Sequence, residues 1–310
     1  MTFESVRQRY ESGQVSKPEY IHQMHELHAR IFEYPELLRR ADVQSLAISG
    51  EGVVLETKAA GIRLQLDPVD ERLIPIEIMN FGSYEPEETE MFLRLAEGVD
   101  VVFDIGGNIG WFSLNTAKRY GGSVEIHTFE PIPATYAQLV RNVELNEATS
   151  VHPNNFGFSD DGSLKTFFYY PQGSGNASTA DLSGRDDVER IVCEVRTLDD
   201  YASESGILPG MIKCDVEGAE LLVFRGGVET IGKALPIVFT EMLRKWAASF
   251  GYSPNDIIDW FAALGYGCFT VSGARLARFG RMDDDTAETN FFFLHEDKHA
   301  EKIATFVDQS

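Results

Sequence analysis

The sequence predicts an α/β protein: a doubly wound, mostly parallel, seven-stranded sheet of Rossmann-like type, carrying an N-terminal helical and hairpin appendage. Three observations predict it. A continuous apolar run, Val101-Val102-Phe103-Asp104-Ile105, has the composition of a strand covered on both faces and leads into a glycine turn. After it, strand and helix patterns alternate as far as Leu294, which is the rhythm of βαβ units. Before it, residues 1–97 follow different periods and read as a separate cap, so the boundary falls there and residues 98–310 form the main domain.

Taken in order, Tyr20, Ile21, Met24, Leu27, Ile31, Leu37 and Leu38 form apolar stripes at helical spacing among charges. Residues 53–57 and 62–66 alternate around Ala59-Ala60-Gly61 and read as a hairpin. The turn at Phe81-Gly82-Ser83-Tyr84 precedes a run of acids suited to a helix start, and a helix should pass through Met91, Phe92 and Leu95. In the main domain, strands are expected at 101–105, 124–129, 151–158, 211–216, 237–240, 266–271 and 291–294, and helices at 111–120, 134–145, from 219, and at 257–264. Two further strands, 164–170 and 191–195, break the alternation; the Gly, Ser and Asn rich stretch 172–184 between them is expected to be a mobile loop near the site.

The totals narrow the partners. With 310 residues, 43% hydrophobic and 25% charged, the chain is an ordinary globular protein with room for a large core. Its 49 acidic against 27 basic residues give a net charge of -22, which opposes a phosphate backbone and an anionic membrane. A small hydroxylated molecule, neutral, cationic or met by a local basic patch, fits better than nucleic acid; a homo-oligomer is compatible with these totals. Cys193, Cys214 and Cys268 are odd in number and scattered, so free buried thiols and a reducing compartment are expected. The polar N-terminus and the lack of a long apolar stretch predict a cytoplasmic protein with no membrane span, in which Asn176-Ala177-Ser178 is an ordinary loop. His22, His25 and His28 do not share a helix face, since the first and last point about 240° apart, so a solvated or interface role is expected of them. Trp111, Trp246 and Trp260 read as core aromatics, and Asp283-Asp284-Asp285 as a solvated loop.

The first strand turns into its helix through Asp104-Ile105-Gly106-Gly107-Asn108-Ile109-Gly110. In doubly wound sheets, ligands sit at this point, beyond the carboxyl ends of the strands. The next strand ends in Glu130, an acid placed to accept hydrogen bonds from ribose hydroxyls, so an adenosine-containing cofactor is expected. Glycines at 106, 107 and 110 miss the G-x-G-x-x-G spacing of a dinucleotide site, with Ile105 where its first glycine belongs. Asp104 would repel a pyrophosphate but suits an ammonium and a sulfonium, which favours S-adenosyl-L-methionine (SAM) over a nicotinamide cofactor.

The runs Phe103-Asp104-Ile105-Gly106-Gly107-Asn108-Ile109-Gly110, Phe129-Glu130-Pro131 and Ile212-Lys213-Cys214-Asp215-Val216-Glu217-Gly218-Ala219-Glu220 resemble the FkbM family of methyltransferases. The likeness spans about residues 80–295 and leaves the leader unexplained. It implies a class I methyltransferase fold and SAM-dependent O-methylation of a hydroxyl on a sugar, glycoside or secondary metabolite. It also implies that Asp104, Gly106, Asn108 and Gly110 line the methionine and ribose of SAM, that Glu130 holds the ribose, and that Asn155 and Phe156, ending the third strand, meet the adenine. Tyr84 and Glu85 stand where they would close over the cofactor or simply cap a helix.

Methyl transfer is an in-line displacement, and a sugar hydroxyl needs a base or a metal to make it nucleophilic. Asp215, Glu217 and Glu241 are expected to converge beyond the fourth and fifth strands, as a general base or, for Asp215 and Glu241, as ligands of a divalent cation such as Mg. The competing readings are a helix cap for Glu217 and a surface ion pair of Glu241 with Arg244 or Lys245. Lys213 and Asp215 share a strand face. A nicotinamide-dependent oxidoreductase or epimerase, and a non-catalytic SAM-binding module, remain the alternative functions.

Overall fold

The computed structural model describes residues 1–181 and 188–308 of the chain, so residues 182–184 of the expected mobile loop lie outside the described residues. The cap opens with α1 (Phe3–Glu11), α2 (Lys17–His28), a 3₁₀ turn at Ala29–Glu33 and α3 (Tyr34–Arg39). Three antiparallel strands follow, β1 (Ser45–Ser49), β2 (Gly52–Glu56) and β3 (Arg63–Gln65), of which the last two form the expected hairpin. Helices α4 (Ile74–Phe81) and α5 (Pro86–Leu95) lead into the main sheet.

That sheet has eight strands: β4 (Val101–Ile105), β5 (Glu125–Phe129), β6 (Val151–Asn154), β10 (Met211–Cys214), β11 (Ile237–Glu241), β12 (Tyr266–Ser272), β13 (Arg275–Phe279) and β14 (Asn290–His295). Their spatial order is β13-β12-β14-β11-β10-β4-β5-β6, parallel from β11 to β6 and antiparallel at the other end. The eighth strand corrects the expected seven: β13 is an arginine-bearing edge strand hairpinned onto β12, and its Arg275 and Arg278 obscure the apolar signal. The expected third strand, 151–158, is also split. After Asn154 the chain leaves the sheet, and β7 (Gly157–Phe158) joins β8 (Ser163–Tyr169) and β9 (Glu189–Arg196) in a small separate sheet.

Helices α6 (Trp111–Tyr120), α7 (Pro133–Leu145), α8 (Leu198–Ser205), α9 (Glu220–Arg225), α10 (Val228–Ala234), α11 (Arg244–Ala247), α12 (Pro254–Ala263) and α13 (Ala300–Phe306) complete the chain. The alternation of side chains along each strand divides them between two cores. Val102, Phe239, Phe292 and Leu294 join one core with Leu55, Ile62, Leu64 and Phe92, so the cap hairpin and α5 cover that face. Phe103, Ile105, Val238, Phe291 and Phe293 join the other, with Leu198, Phe224 and Phe261 of the helices opposite. Burial on both faces is why these strands read as unbroken apolar runs. Cys193, Cys214 and Cys268 are free and buried, as expected. No helix among the described residues is long and apolar enough to cross a membrane.

Candidate active site

Two turns meet at the carboxyl end of the sheet, one after β4 and one after β10. The pairing of Lys213 with Asp104 and of Cys214 with Ile105 brings them side by side. Gly106 has φ +71, and a Cβ there would stand 1.8 Å from the backbone oxygen of Asp215, so only glycine allows this approach. At Gly107, a Cβ would stand 2.0 Å from Thr128 Oγ1. The amides of both glycines donate to Phe129 O at 3.0 Å, which ties the first turn to β5.

The acids of the first turn are engaged. Asp104 Oδ2 accepts from the amide and hydroxyl of Ser113 at 3.2 and 2.6 Å, anchoring the start of α6. Its Oδ1 faces Lys213 Nζ at 3.8 Å. Glu130 accepts from Asn108 N at 3.2 Å and from Ile132 N at 2.9 Å, which clamps the glycine turn to the start of α7. Burial pushes the Glu130 carboxyl up to about 7 against the opposing pull of those amides.

The second turn is built differently. Glu220 accepts from Val216 N and Gly218 N at 3.1 and 3.0 Å and from Tyr252 Oη at 3.1 Å, forming an internal clamp. Glu217 takes the left-handed conformation with φ 57, as do Asn108 at φ 48 and Glu85 at φ 39. Of these, Asn108 and Glu217 line the same cleft, and non-glycine residues in this costly region cluster at functional sites. Lys213 Nζ lies 3.4 Å from Asp215 Oδ2 and donates to Gly106 O at 2.7 Å. Burial works against the Lys213 ammonium, but Asp215 and Asp104 outweigh it and raise its pKa above the lysine value. This cation is spent inside the protein.

Beyond the strand ends, Asp215, Glu217 and Glu241 each bring one carboxylate oxygen within 4.8 Å of the others. Asp215 Oδ1 and Glu217 Oε2 are buried without a hydrogen-bond partner, as are Asn108 Oδ1 and Asp104 Oδ1 of the first turn. Glu85 adds a fourth acid, held by a 3.2 Å hydrogen bond from Asn290 Nδ2, and Asn290 is the strand neighbour of Glu241. Burial, Asp215 and Glu85 push Glu241 up to about 9; burial and Asp215 push Glu85 to about 7; burial, Asp215 and Glu241 raise Glu217 strongly. Arg244 does not pair with Glu241 but donates to the backbone of Asp284 and Thr286.

Gly106, Asn108, Glu130, Asp215 and Glu217 line one cleft together with Phe158 and Phe167 of the small sheet. A strap at Pro171–Asn176 crosses it: Gly175 lies against the Asn108 amide, and Ser178 Oγ donates to Glu217 O at 2.9 Å. The buried Ser178 thus corrects the ordinary-loop reading of residues 176–178. Other sequence candidates fall outside the cleft lining. Asp104 lies beneath the turn, and Gly110, with φ +95, packs against Leu139. Asn155 is exposed, with its Nδ2 on the backbone oxygens of Glu130 and Pro131 at 2.8 and 3.2 Å. Phe156 joins an aromatic cluster with Phe129, Phe158 and Tyr201. Tyr84 packs edge-on against Trp111 at 5.8 Å, its phenol raised by burial and by Glu85, Asp215 and Glu241. The clamp role of Glu220 and the wall from β8 were not foreseen, since both depend on partners distant in sequence.

The residues present fit a cationic adenosyl donor better than a dinucleotide. The unpartnered groups that line the cleft, on Asn108, Asp215 and Glu217, are oxygen atoms, the near cation is consumed by Asp104, Asp215 and Gly106 O, and the other lysine of the cleft, Lys165, pairs with Asp161 at 2.6 Å.

Comparison with known proteins agrees. Residues 104–268 match the model of the methyltransferase FkbM domain. Methyltransferase 1 of Beauveria bassiana is 32% identical over 143 residues, covering 40% of this chain and 57% of that protein. The 31-O-demethyl-FK506 methyltransferase FkbM of Streptomyces tacrolimicus is 30% identical over 155 residues, covering 41% and 59%. The hexuronic acid methyltransferase AglP of Haloferax volcanii is 28% identical over 175 residues, covering 56% and 66%. The chain thus spans about three fifths of the length of the curated relatives it matches. The crystal structure of methyltransferase FkbM from Methylobacillus flagellatus superposes with a TM-score of 0.40 at 16% identity over 63% of this chain and 43% of that one. On the matched domain, which contains both turns, the chain belongs to the FkbM methyltransferase family.

Proposed function

We propose that this chain is a SAM-dependent O-methyltransferase whose acceptor is an uncharged hydroxyl on a sugar, glycoside or hydroxylated secondary metabolite. The supporting observation is the rim of carboxylates, Asp215, Glu217, Glu241 and Glu85, which converges beside the glycine turn with two buried oxygens unpartnered and its nearest cation already paired. When bound, SAM supplies an electrophilic methyl group on a sulfonium. The backbone of Gly106 and the side chains of Asn108 and Glu130 would hold it, Glu130 through the lone pairs left free by its two amide donors.

Asp215 is the assigned general base. It faces the cleft, has a free Oδ1, and its other oxygen is charge-balanced by Lys213 at 3.4 Å. It takes the hydroxyl proton as the oxygen attacks. Glu241, pushed up to about 9, is protonated at neutral pH and donates a hydrogen bond that orients the acceptor; burial, Asp215 and Glu241 raise Glu217 beside it. In the alternative arrangement, Asp215 and Glu241 would hold a divalent cation, which would supply Lewis acidity toward the hydroxyl. An acceptor bearing a carboxylate or phosphate next to its reacting hydroxyl would meet the Asp215 carboxylate as a like charge.

The test is transfer of labelled methyl from SAM into matched neutral glycosides, amino sugars, hexuronic acids and nucleotide sugars, with and without chelator. Label on a neutral hydroxyl, insensitive to chelator, is expected. Label on a carboxylate or amine would overturn the assignment, loss on chelation would move it to the metal arrangement, and SAM binding with no transfer to any acceptor would favour the non-catalytic module.

A further inference from the structure

The two halves of the acid rim come from different strands, Asp215 and Glu217 from the turn after β10 and Glu241 from the end of β11. The segment between β11 and α12 folds back against the β10 turn and ties the halves together. Trp246 packs on that turn: a Cβ at Gly218, where φ is +96, would stand 2.9 Å from the Trp246 carbonyl carbon. Gly251, with φ +76, then turns the chain, and a capping box between Ser253 and Asp256 starts α12. Tyr252 is fixed between these two stops, with its ring packed against the core that holds Ile212, Val238 and Phe261.

The hydroxyl of Tyr252 ends in the turn. Its Oη donates to Gly218 O at 2.7 Å, shares that proton with Glu220 Oε2 at 3.1 Å and accepts from Leu221 N at 3.4 Å. The other oxygen of Glu220 takes the amides of Val216 and Gly218, so the backbone on both sides of Glu217 is tied to one unit. Burial and Glu220 raise the Tyr252 phenol, which therefore keeps its proton and remains a donor at neutral pH. Glu217, at φ 57, sits in a conformation that persists only where its surroundings impose it. Loss of the Tyr252 hydroxyl takes a donor from Gly218 O and from Glu220 together, and the turn can then relax, carrying Asp215 and Glu217 away from Glu241.

On the function proposed above, we propose that Tyr252 is a positioning residue for methyl transfer: its hydroxyl holds the turn bearing Asp215 and Glu217 in register with Glu241, and so sets the aim of Asp215 at the point of transfer. Tyr252 is not among the residues that line the cleft and acts only through the turn.

Tyr252→Phe removes the hydroxyl and keeps the ring. Tyr266→Phe is the control, since it removes a buried hydroxyl of the same kind from Pro236 O at 3.0 Å. Each protein is titrated with S-adenosylhomocysteine and with sinefungin, which presents an ammonium where the methyl of SAM sits. The ratio of the two affinities reads the carboxylates aimed at the point of transfer and needs no acceptor. Tyr252→Phe should keep S-adenosylhomocysteine affinity within about threefold while sinefungin loses about tenfold relative to it. With the acceptor found in the labelling panel, kcat should fall about 10–100-fold and the acceptor KM should stay within about threefold. Tyr266→Phe should lower the melting temperature and move neither the ratio nor kcat. An unchanged ratio or an unchanged kcat in Tyr252→Phe would overturn the proposal. So would equal losses of affinity for both ligands, which is the behaviour of a merely structural tyrosine. A wild type that transfers to no acceptor would remove the proposed function instead, and the ratio alone would then decide whether Tyr252 aims the rim.

Discussion

The turns after β4 and β10 use the same materials, glycines flanked by acids at a strand end, and aim their acids differently. In the first, Asp104 Oδ2 and Glu130 accept from amides and serve as fasteners, and the one carboxylate oxygen left over, Asp104 Oδ1, lies beneath the turn facing Lys213 at 3.8 Å. In the second, a single acid, Glu220, does the fastening, while Asp215 and Glu217 keep unpartnered oxygens toward the cleft. Unpartnered buried carboxylates are expensive and persist where they have work to do. Under the proposed function, the first turn therefore shapes the cofactor wall, and the second, with Glu241 and Glu85, would carry the chemistry.

The largest expected effect comes from breaking the contact between them. Gly106→Ala would drive a Cβ to 1.8 Å from Asp215 O at a left-handed backbone position. It should cost at least about 3 kcal/mol in denaturant unfolding and abolish cofactor binding. Full stability in this variant would show that the turns are not interlocked.

The acid rim makes a prediction about pH. The folded-state pKa values of Glu241, at about 9, and Glu85, at about 7, lie above the ordinary carboxylate value of 4.5, so the folded state binds more protons than the unfolded one between these limits. Stability of the ligand-free protein should therefore fall as pH rises from about 4.5 to 9, the reverse of the usual carboxylate behaviour. Glu241→Gln should flatten the upper part of that slope and be more stable than wild type at pH 8.5 by roughly 1 kcal/mol, after discounting for partial exposure. A parallel slope in thermal melts of the two proteins would remove Glu241 from the buried rim.

The smallest effect sharpens the boundary of the cleft. Asn155 points its amide at backbone oxygens rather than into the cleft, so Asn155→Ala should change S-adenosylhomocysteine affinity less than about twofold, while costing about 1 kcal/mol of stability. A tenfold loss of affinity would restore it to the cofactor site.

These cases also show what the sequence could reveal. The parallel strands were legible because burial on both faces writes an unbroken apolar run, as in Val101–Ile105. The glycine turn and the acids 215, 217 and 241 were legible because they sit at strand ends, which places them in space without knowledge of packing. Edge strand β13 was hidden by its arginines, and β7 by its two-residue length. The functions of Glu220, Asn290 and Ser178 were not legible, since each depends on hydrogen bonds to partners set by the tertiary fold. The direction of the Asn155 side chain, with its amide on the backbone oxygens of Glu130 and Pro131, was not legible either, because a strand end predicts proximity to the cleft and not where a side chain points.

The division of labour between the two turns is tested most directly in Asp215→Asn, by measuring S-adenosylhomocysteine affinity and labelled methyl transfer to the acceptor found in the labelling panel. Affinity within about threefold of wild type, with transfer reduced by about 10²–10⁴, is the predicted result. Transfer at the wild-type rate, or affinity and transfer lost in equal measure, would contradict the assignment of Asp215 to the chemical step.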